Sequence, residues 1–380
     1  MNNALVIGGS NGIGLAVALE LAKECSSVFL VDRKQPSISF PYNIKFINED
    51  LLLTDYSWLS NIENIDTLFY SAGFGRVAHF DELHAKEIEN CFKVNTVATF
   101  RILRHFMPQI KSDIPFYCGI MVSIAGRVAS PLFSVYSATK AACFRGIEAI
   151  NAELKMAGLT NRILEISPGS LKGTSFSGAS TQVDILHGLA KTIIDSMKGH
   201  ETLLIPEYES IYKGVLKRYN DDAEKFAADS YDYKIKNGRL QHKPQLLVGY
   251  LSGTFDLFHI GHLNMLRRAR QYCDYLVVGV HKDASHKGKQ TFIPFEERVE
   301  ILKSIKFVDK VIESEKEDSD VWTKGIVKYD KLFVGSDYKG SDRFNRYEEY
   351  FKDKGVEIIY FPYTQGTSST QLRDALMNLK

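Results

Sequence analysis

The chain has 380 residues, 44% of them apolar and 24% charged, with a formal net charge of +1. That length exceeds one ordinary core and suits two domains. The near-neutral balance removes any basic field for nucleic acid and any acidic solvating tail. The five cysteines (Cys25, Cys91, Cys118, Cys143, Cys273) show no CxxC or zinc spacing, and no apolar run approaches a membrane span. A reduced, cytoplasmic enzyme acting on small molecules is therefore the expectation, with no nucleic-acid or membrane partner.

From residue 4 to about 205, short β-rich runs alternate with helical patterns, as in a parallel sheet covered by helices. Strands are expected at Ala4–Ile7, Val28–Val31, Ile44–Ile47, Thr67–Ser71, Gly119–Ser123 and Arg162–Ser167, and helices at Ile13–Lys23, Glu82–Lys111 and Tyr136–Met156. A strand starting at residue 4 leaves no room for a signal peptide in this reading. Residues 207–240 change character, being rich in Tyr, Lys and Asp with a helical stretch Tyr208–Asp229. They read as closing helices and a connector. A second series follows: strand Leu246–Leu251, helix His262–Tyr272, strand Tyr275–His281, helix Phe295–Ser304, strands Lys331–Val334 and Val356–Phe361, and a closing helix Ser369–Asn378. The two series carry different motifs, so the chain reads as a fusion rather than a repeat. The fold class is α/β: two Rossmann-like, doubly wound parallel-sheet domains in tandem, 1–240 (core 1–205, closing helices 206–240) and 246–380.

In the first half, Gly8-Gly9-Ser10-Asn11-Gly12-Ile13-Gly14 joins the first strand to the first helix. A dinucleotide pyrophosphate needs this context: glycines for a tight turn and close approach, then a helix N-terminus facing the charge. Asp32 ends the second strand, where a carboxylate reaches ribose hydroxyls. Tyr136 and Lys140 lie four apart, on one face of a helix. An ammonium beneath a phenol favours the phenolate, which lets Tyr136 exchange a proton with an alkoxide near neutral pH, and Ser123 ends a strand from which it can bond the same carbonyl oxygen. Alone, a YxxxK pair is more often an ordinary surface pair; the constellation gives it meaning.

These residues resemble the short-chain dehydrogenase/reductase family over roughly residues 1–205. The resemblance implies a cofactor turn at Gly8, Ser10, Asn11, Gly12, Ile13 and Gly14, with Asp32 and Arg33 beside the adenosine ribose and Asp50 and Leu51 beside adenine. It also implies a strand-end contact at Ala72 and Gly73, a relay Asn95, a carbonyl-orienting Ser123, an acid/base Tyr136 with its partner Lys140, and a nicotinamide-side loop at Pro168 and Gly169. Asp32 argues for NAD; Arg33 and Lys34 would suit the 2′-phosphate of NADP. Tyr70 stands where the family usually has Asn, and the segment after Gly169 is one residue longer, so the pocket wall differs.

In the second half, Gly253-Thr254-Phe255-Asp256 is followed by His259-Ile260-Gly261-His262 between a strand and a helix. Two imidazoles three apart then sit at the positive end of that helix, and Gly261 lets a phosphate approach. Lys287 and Lys289 supply point charges in a Gly-containing loop, and Arg298 a fixed fork. Gly335 and Asp337 end a strand; Ser368, Ser369 and Thr370 open the last helix. A zinc pair of the histidines with Asp256 lacks a third ligand of convincing spacing, so no resident metal is expected. His242, His281 and His286 read as incidental, and Phe344–Phe351 as helix packing.

This set resembles the cytidylyltransferases, especially those acting on glycerol 3-phosphate, over essentially all of residues 246–380. The resemblance implies attack of a polyol-phosphate oxygen on the α-phosphate of CTP with Mg²⁺ assistance. His259 and His262 would stabilise the transition state, Lys287 and Lys289 would hold phosphates, and the remaining residues would bind nucleotide. Tyr363 stands where the family usually has Arg, so one phosphate contact is lost or supplied elsewhere.

Joined, the halves resemble in logic the bifunctional ribulose-5-phosphate reductase/CDP-ribitol pyrophosphorylases. The expected function is reduction of a ketose phosphate with NAD(P)H and coupling of the polyol phosphate to CTP, in a homodimer or larger assembly. A dehydrogenase-like domain acting only as a dimerisation scaffold, or two tethered enzymes with non-consecutive reactions, are the alternatives.

Overall fold

The computed structural model describes residues 1–36, 38–171, 173–174, 181–242, 246–282, 291–362, 371–373 and 375. Contacts divide the chain into two compact units, Met1–Pro244 and Gln245–Lys380.

In the first unit, strands β1 (Asn3–Ile7), β2 (Ser27–Asp32), β3 (Ile44–Asn48), β4 (Thr67–Tyr70), β5 (Tyr117–Met121), β6 (Ile163–Ile166) and β7 (Leu203–Leu204) form one sheet in the order β3-β2-β1-β4-β5-β6-β7. All described pairings are parallel. Central strands such as Ala4-Leu5-Val6-Ile7 are buried on both faces, which is why they read as continuous apolar runs rather than alternating ones. One core layer gathers Leu5, Leu68, Phe106 and Ile147, the other Val6, Val17, Leu30 and Ile193. Helix α1 (Gly12–Leu21) packs beside α5 (Val183–Lys198) on one of these layers.

The second unit repeats the principle on a smaller scale. Strands β8 (Val248–Gly253), β9 (Tyr275–Val280), β10 (Lys310–Glu313), β11 (Lys331–Gly335) and β12 (Glu357–Phe361) pair in the order β10-β9-β8-β11-β12, again all parallel. In both sheets the first strand has its sequence successor on one side and a later strand on the other. The carboxyl ends of β1 and β4, and of β8 and β11, are therefore topological switch points, where open α/β sheets place ligands.

Three expectations change. The helix expected over Glu82–Lys111 is a turn at Phe80–Glu82, helix α2 (Ala85–Phe92), a π-helical segment Lys93–Ala98 and helix α3 (Thr99–Ile110). Wide turns of this kind recur at functional sites, and this one carries Asn95. The helix expected over Tyr208–Asp229 is a π-helical turn Tyr208–Tyr212, helix α6 (Lys213–Asp221) and helix α7 (Ala223–Lys236). Asp222 breaks it, and its side chain accepts the Lys225 N–H at 2.9 Å to cap α7. Helix α5, strand β10 and helix α10 (Asp318–Thr323) were not expected; α11 (Asp342–Phe351) carries the aromatic stretch read as helix packing. Among the described residues no helix is long and apolar enough to cross a membrane.

Candidate active sites

At the β1–α1 turn, Gly8 has φ +79° and Gly12 φ +55°. A Cβ on Gly8 would lie 2.3 Å from the Ala72 nitrogen, and one on Gly14 2.1 Å from the Gly8 oxygen. Only glycine fits either position. The Ser71 hydroxyl donates to the Gly8 carbonyl at 2.9 Å, so the ends of β1 and β4 are tied together. Asp32 accepts the Ser10 N–H at 3.1 Å, and the Ser10 hydroxyl donates to the Lys34 carbonyl. Asn11 is the N-cap of α1 and Ile13 lies in its first turn. Asp50 accepts the Leu52 N–H at 2.9 Å in the turn that includes Leu51. Pinned glycines, a helix N-terminus and a carboxylate at the end of β2 suit a dinucleotide cofactor. The Thr181 hydroxyl accepts the Gly12 N–H at 2.9 Å, a contact the sequence did not signal.

Across the switch point four side chains converge. Helix α4 (Ser134–Met156) buries Tyr136 and Lys140 on one face, at 8% and 3% exposure. Lys140 Nζ donates to the Met121 carbonyl at 2.8 Å and lies 5.6 Å from the Tyr136 ring centroid. A Cβ built on Gly73 would come within 3.2 Å of Asn95 Oδ1 and 3.3 Å of Lys140 Nζ, so the three positions meet at one point. Asn95 is clamped: Oδ1 accepts the Phe74 N–H at 3.0 Å, and Nδ2 donates to the Phe74 carbonyl and to Thr139 Oγ1. Burial is the largest influence on the Tyr136 phenol and pushes it up, while a hydrogen bond with Ser123 pulls the other way. Burial likewise lowers the Lys140 ammonium. The phenol is thus pushed up, opposite to the direction that the ammonium alone would give, and near neutral pH Tyr136 carries its proton.

Ser123 accepts the Ala125 N–H at 3.2 Å and sits beside the Pro168 carbonyl. Tyr70, at the position where the resembled family usually has Asn, is fully buried and donates to the Val94 carbonyl in the π-helical segment. It supports the position of Asn95 from below rather than lining the pocket. The phenol of Tyr212 covers Gly169, where an added Cβ would overlap it at 1.6 Å. The Phe133 ring stacks on Tyr136 at 4.3 Å and 18°. Tyr212 and Phe133 were missed; for Tyr212 the only signal was the unusual composition of 207–240.

In the second unit, β8 ends at Gly253 and the chain turns through Phe255 (φ +53°) and Leu257 (φ +48°) into helix α8 (Ile260–Gln271). Two non-glycine residues in left-handed conformations mark a turn held by its surroundings. His259 is the N-cap of α8, and its Nδ1 accepts the Gly261 N–H at 3.0 Å. The other ring nitrogen, Nε2, then bears the proton. Burial lowers the His259 pKa, which favours this neutral form. The His259 and His262 rings lie 4.0 Å apart, with Phe255 and Phe258 against His262. Two imidazoles therefore face the end of the sheet at a helix N-terminus, an arrangement able to stabilise charge on a phosphoryl oxygen.

Asp256 is buried, accepts the Phe292 and Ile293 N–H groups, and pairs with Arg373 at 2.6 Å. Arg298, expected as a fork for nucleotide, is 1% exposed and donates to the carbonyls of Ile293, Thr254, His281 and Lys282. These bonds make it a tie between the loops after β8 and β9. The buried Thr254 Oγ1 has no hydrogen-bond partner among the described residues. Asp337 folds back on Gly335 at the end of β11, where a Cβ would lie 2.3 Å from its Oδ1. Lys287, Lys289, Tyr363, Ser368, Ser369 and Thr370 lie outside the described residues. Among the described residues no group of three or more His, Cys, Asp or Glu is placed to hold a metal ion.

Comparison with known proteins follows the same division. The family model for short chain dehydrogenases matches residues 56–183, and that for cytidylyltransferase-like proteins matches residues 250–375. Glycerol-3-phosphate cytidylyltransferase of Bacillus spizizenii is 38% identical over 132 residues, covering 33% of this chain and 95% of that protein. The enzyme of the same name from Staphylococcus aureus is also 38% identical, over 33% of this chain and 90% of its own length. A short chain dehydrogenase from Burkholderia cenocepacia, solved in complex with NADP, superposes with a TM-score of 0.50 at 22% identity, covering 60% of this chain and 97% of that one. This last likeness concerns the fold.

Proposed function

We propose that this chain, which belongs to the cytidylyltransferase-like family through its second unit and matches the short chain dehydrogenase model over residues 56–183 of its first, makes a CDP-polyol in two consecutive steps. The first reduces a ketose phosphate to a polyol phosphate; the second joins that polyol phosphate to CTP, with release of pyrophosphate. The supporting observation is the pairing of sites: a proton-bearing Tyr136 beside Ser123 and Lys140, in one chain with paired imidazoles on a scaffold like that of glycerol-3-phosphate cytidylyltransferase. Carbonyl reduction of a sugar phosphate produces the class of compound that such a transferase accepts.

NADH or NADPH, when bound at the glycine turn, supplies a hydride to the carbonyl carbon. Tyr136 donates its phenolic proton to the carbonyl oxygen, giving the alcohol, while Ser123 holds that oxygen in place. Lys140 and Asn95, meeting at Gly73, position the tyrosine and lead a replacement proton inward. In the second unit a phosphate oxygen of the polyol phosphate forms a bond to the α-phosphorus of CTP, and the bond to the bridging oxygen breaks. His259, donating from Nε2, and His262 stabilise the charge that grows on the phosphate oxygens. Lys287 and Lys289 hold the phosphates. Mg²⁺ enters with the nucleotide, as part of the substrate. The five cysteines are free thiols and buried, which suits a reducing, cytosolic setting.

The test uses the full chain with a panel of ketose phosphates, both reduced nicotinamides and MgCTP. NAD(P)H oxidation that persists undiminished in Tyr136→Phe would remove the assigned proton donor. Pyrophosphate release with the product of the first reaction, absent without it, separates consecutive steps from two unrelated enzymes.

A further inference from the structure

We propose that the arm formed by residues 208–241 completes the reductase pocket and that the Lys234 ammonium within it receives the phosphate group of the carbonyl substrate; this rests on the reading of the first unit as a sugar-phosphate reductase.

The arm is sewn to the walls of the catalytic site at several points. Near its start, the Tyr212 phenol covers Gly169 on the nicotinamide-side loop. The Tyr231 ring meets His79 edge to face at 6.3 Å. Near its end, the Gln241 N–H donates to the Val77 carbonyl at 2.8 Å, and Arg76 returns a bond to the Gln241 carbonyl at 2.9 Å. Between these, Lys234 Nζ donates to Ser130 Oγ at 2.8 Å and to the Pro131 carbonyl at 2.6 Å. Ser130 and Pro131 belong to the segment that runs from Ser123 to Tyr136. Its neighbour Leu132 takes φ +63° and accepts the Ala78 N–H, and Phe133 stacks on Tyr136. Lys234 therefore reaches the lip of the pocket in which the carbonyl is reduced.

What makes this lysine unusual is its charge balance. The nearby cation Arg76 is held bidentately by Glu87. By contrast, Lys234 makes no ion pair with a carboxylate among the described residues: its recorded bonds run to a hydroxyl and a carbonyl. Burial pushes its pKa down to about 8, and the neighbouring charge that acts on it, Arg239, has the same sign. A half-buried ammonium bonded to a hydroxyl and a carbonyl, with the Arg239 charge also acting on it, favours a bound dianion. An ammonium has three donors, and two are accounted for. A ketose phosphate with its carbonyl at Tyr136 would present its phosphate to the third.

The experiment compares a ketose phosphate with the same ketose lacking phosphate, in the full-length parent, Lys234→Gln and Lys234→Arg, and titrates each protein with inorganic phosphate. The expected result is a fall of about tenfold or more in kcat/KM for the phosphorylated ketose in Lys234→Gln, carried mainly by KM. The unphosphorylated ketose should lose several-fold less than the phosphorylated one, and Lys234→Arg should restore much of the preference. A preference that survives in Lys234→Gln overturns the assignment and leaves the reductase reading intact. An equal loss on both substrates overturns it in favour of a structural strut. If the parent reduces neither ketose, the reductase reading fails; phosphate binding by the parent and not by Lys234→Gln would then still support an anion site at Lys234, and equal binding would overturn it.

Discussion

The Nδ1 atom of His259 accepts the main-chain N–H of Gly261 at 3.0 Å, and this bond fixes which proton the imidazole can offer. Burial favours the neutral ring, and with Nδ1 accepting, the proton it offers is the one on Nε2. His259→Ala is expected to slow pyrophosphate release from CTP about a hundredfold to a thousandfold, and to leave NAD(P)H oxidation at the parental rate. Burial lowers the His259 pKa in the folded chain. As pH falls, the unfolded chain therefore takes up this proton first. The stability tied to the neutral ring is present above the ordinary histidine range and is lost as pH falls through it toward the folded value. Cytidylyl transfer should be flat through neutral pH and decline on the acid side, as read by a pH profile of pyrophosphate release.

Tyr136 behaves in the opposite sense. Its phenol is pushed up by burial, so the proton-bearing form persists through and beyond neutral pH. The stability linked to the neutral phenol is complete below the ordinary tyrosine value and is lost as pH climbs from there toward the folded value. Ketose reduction should accordingly hold through neutral pH and fall only in strong alkali. Tyr136→Phe should slow it about a hundredfold to ten-thousandfold, measured as NAD(P)H absorbance loss.

A methyl group at the cofactor turn should separate cofactor binding from chemistry. In Gly14→Ala the new Cβ meets the Gly8 carbonyl oxygen at 2.1 Å. Such overpacking costs about 1–3 kcal/mol and displaces the turn. Nicotinamide binding, followed by fluorescence of the reduced cofactor, should weaken markedly while pyrophosphate release stays as in the parent.

Arg298 gives a prediction of a different kind. Its guanidinium bonds the carbonyls of Thr254, Ile293, His281 and Lys282 while almost wholly buried. Arg298→Ala leaves these acceptors without their donor and should destabilise the second unit by about 3 kcal/mol or more. Arg298→Lys recovers little, because a point charge cannot reproduce the fork. Denaturant unfolding followed separately for the two units would show the loss confined to the second.

Much of this was legible in the sequence because its signals are local. Buried parallel strands write themselves as apolar runs, and Gly8, Gly14, Tyr136, Lys140, His259 and His262 are defined by spacing along one turn or helix face. What the sequence hid depends on distant partners. Nothing near Arg298 announces that four carbonyls from other segments will surround it. The widened turn around Asn95 comes from tertiary contacts with Phe74 and Thr139, and intrinsic helical spacing does not reveal it. The upward push on Tyr136 was hidden because a spacing argument counts the ammonium four residues on and omits burial. Lys234 lies more than a hundred positions from Ser130, so its bond to that segment comes from the fold alone.

The consecutive chemistry is tested most directly by following one atom through both sites. The full-length protein is given a ketose phosphate, MgCTP and reduced nicotinamide dideuterated at C4, and the nucleotide products are read by mass spectrometry. A CDP-polyol carrying a single deuterium on the former carbonyl carbon is the predicted product. Consumption of the cofactor with unlabelled nucleotide products, or with no CDP-linked product, would contradict the account.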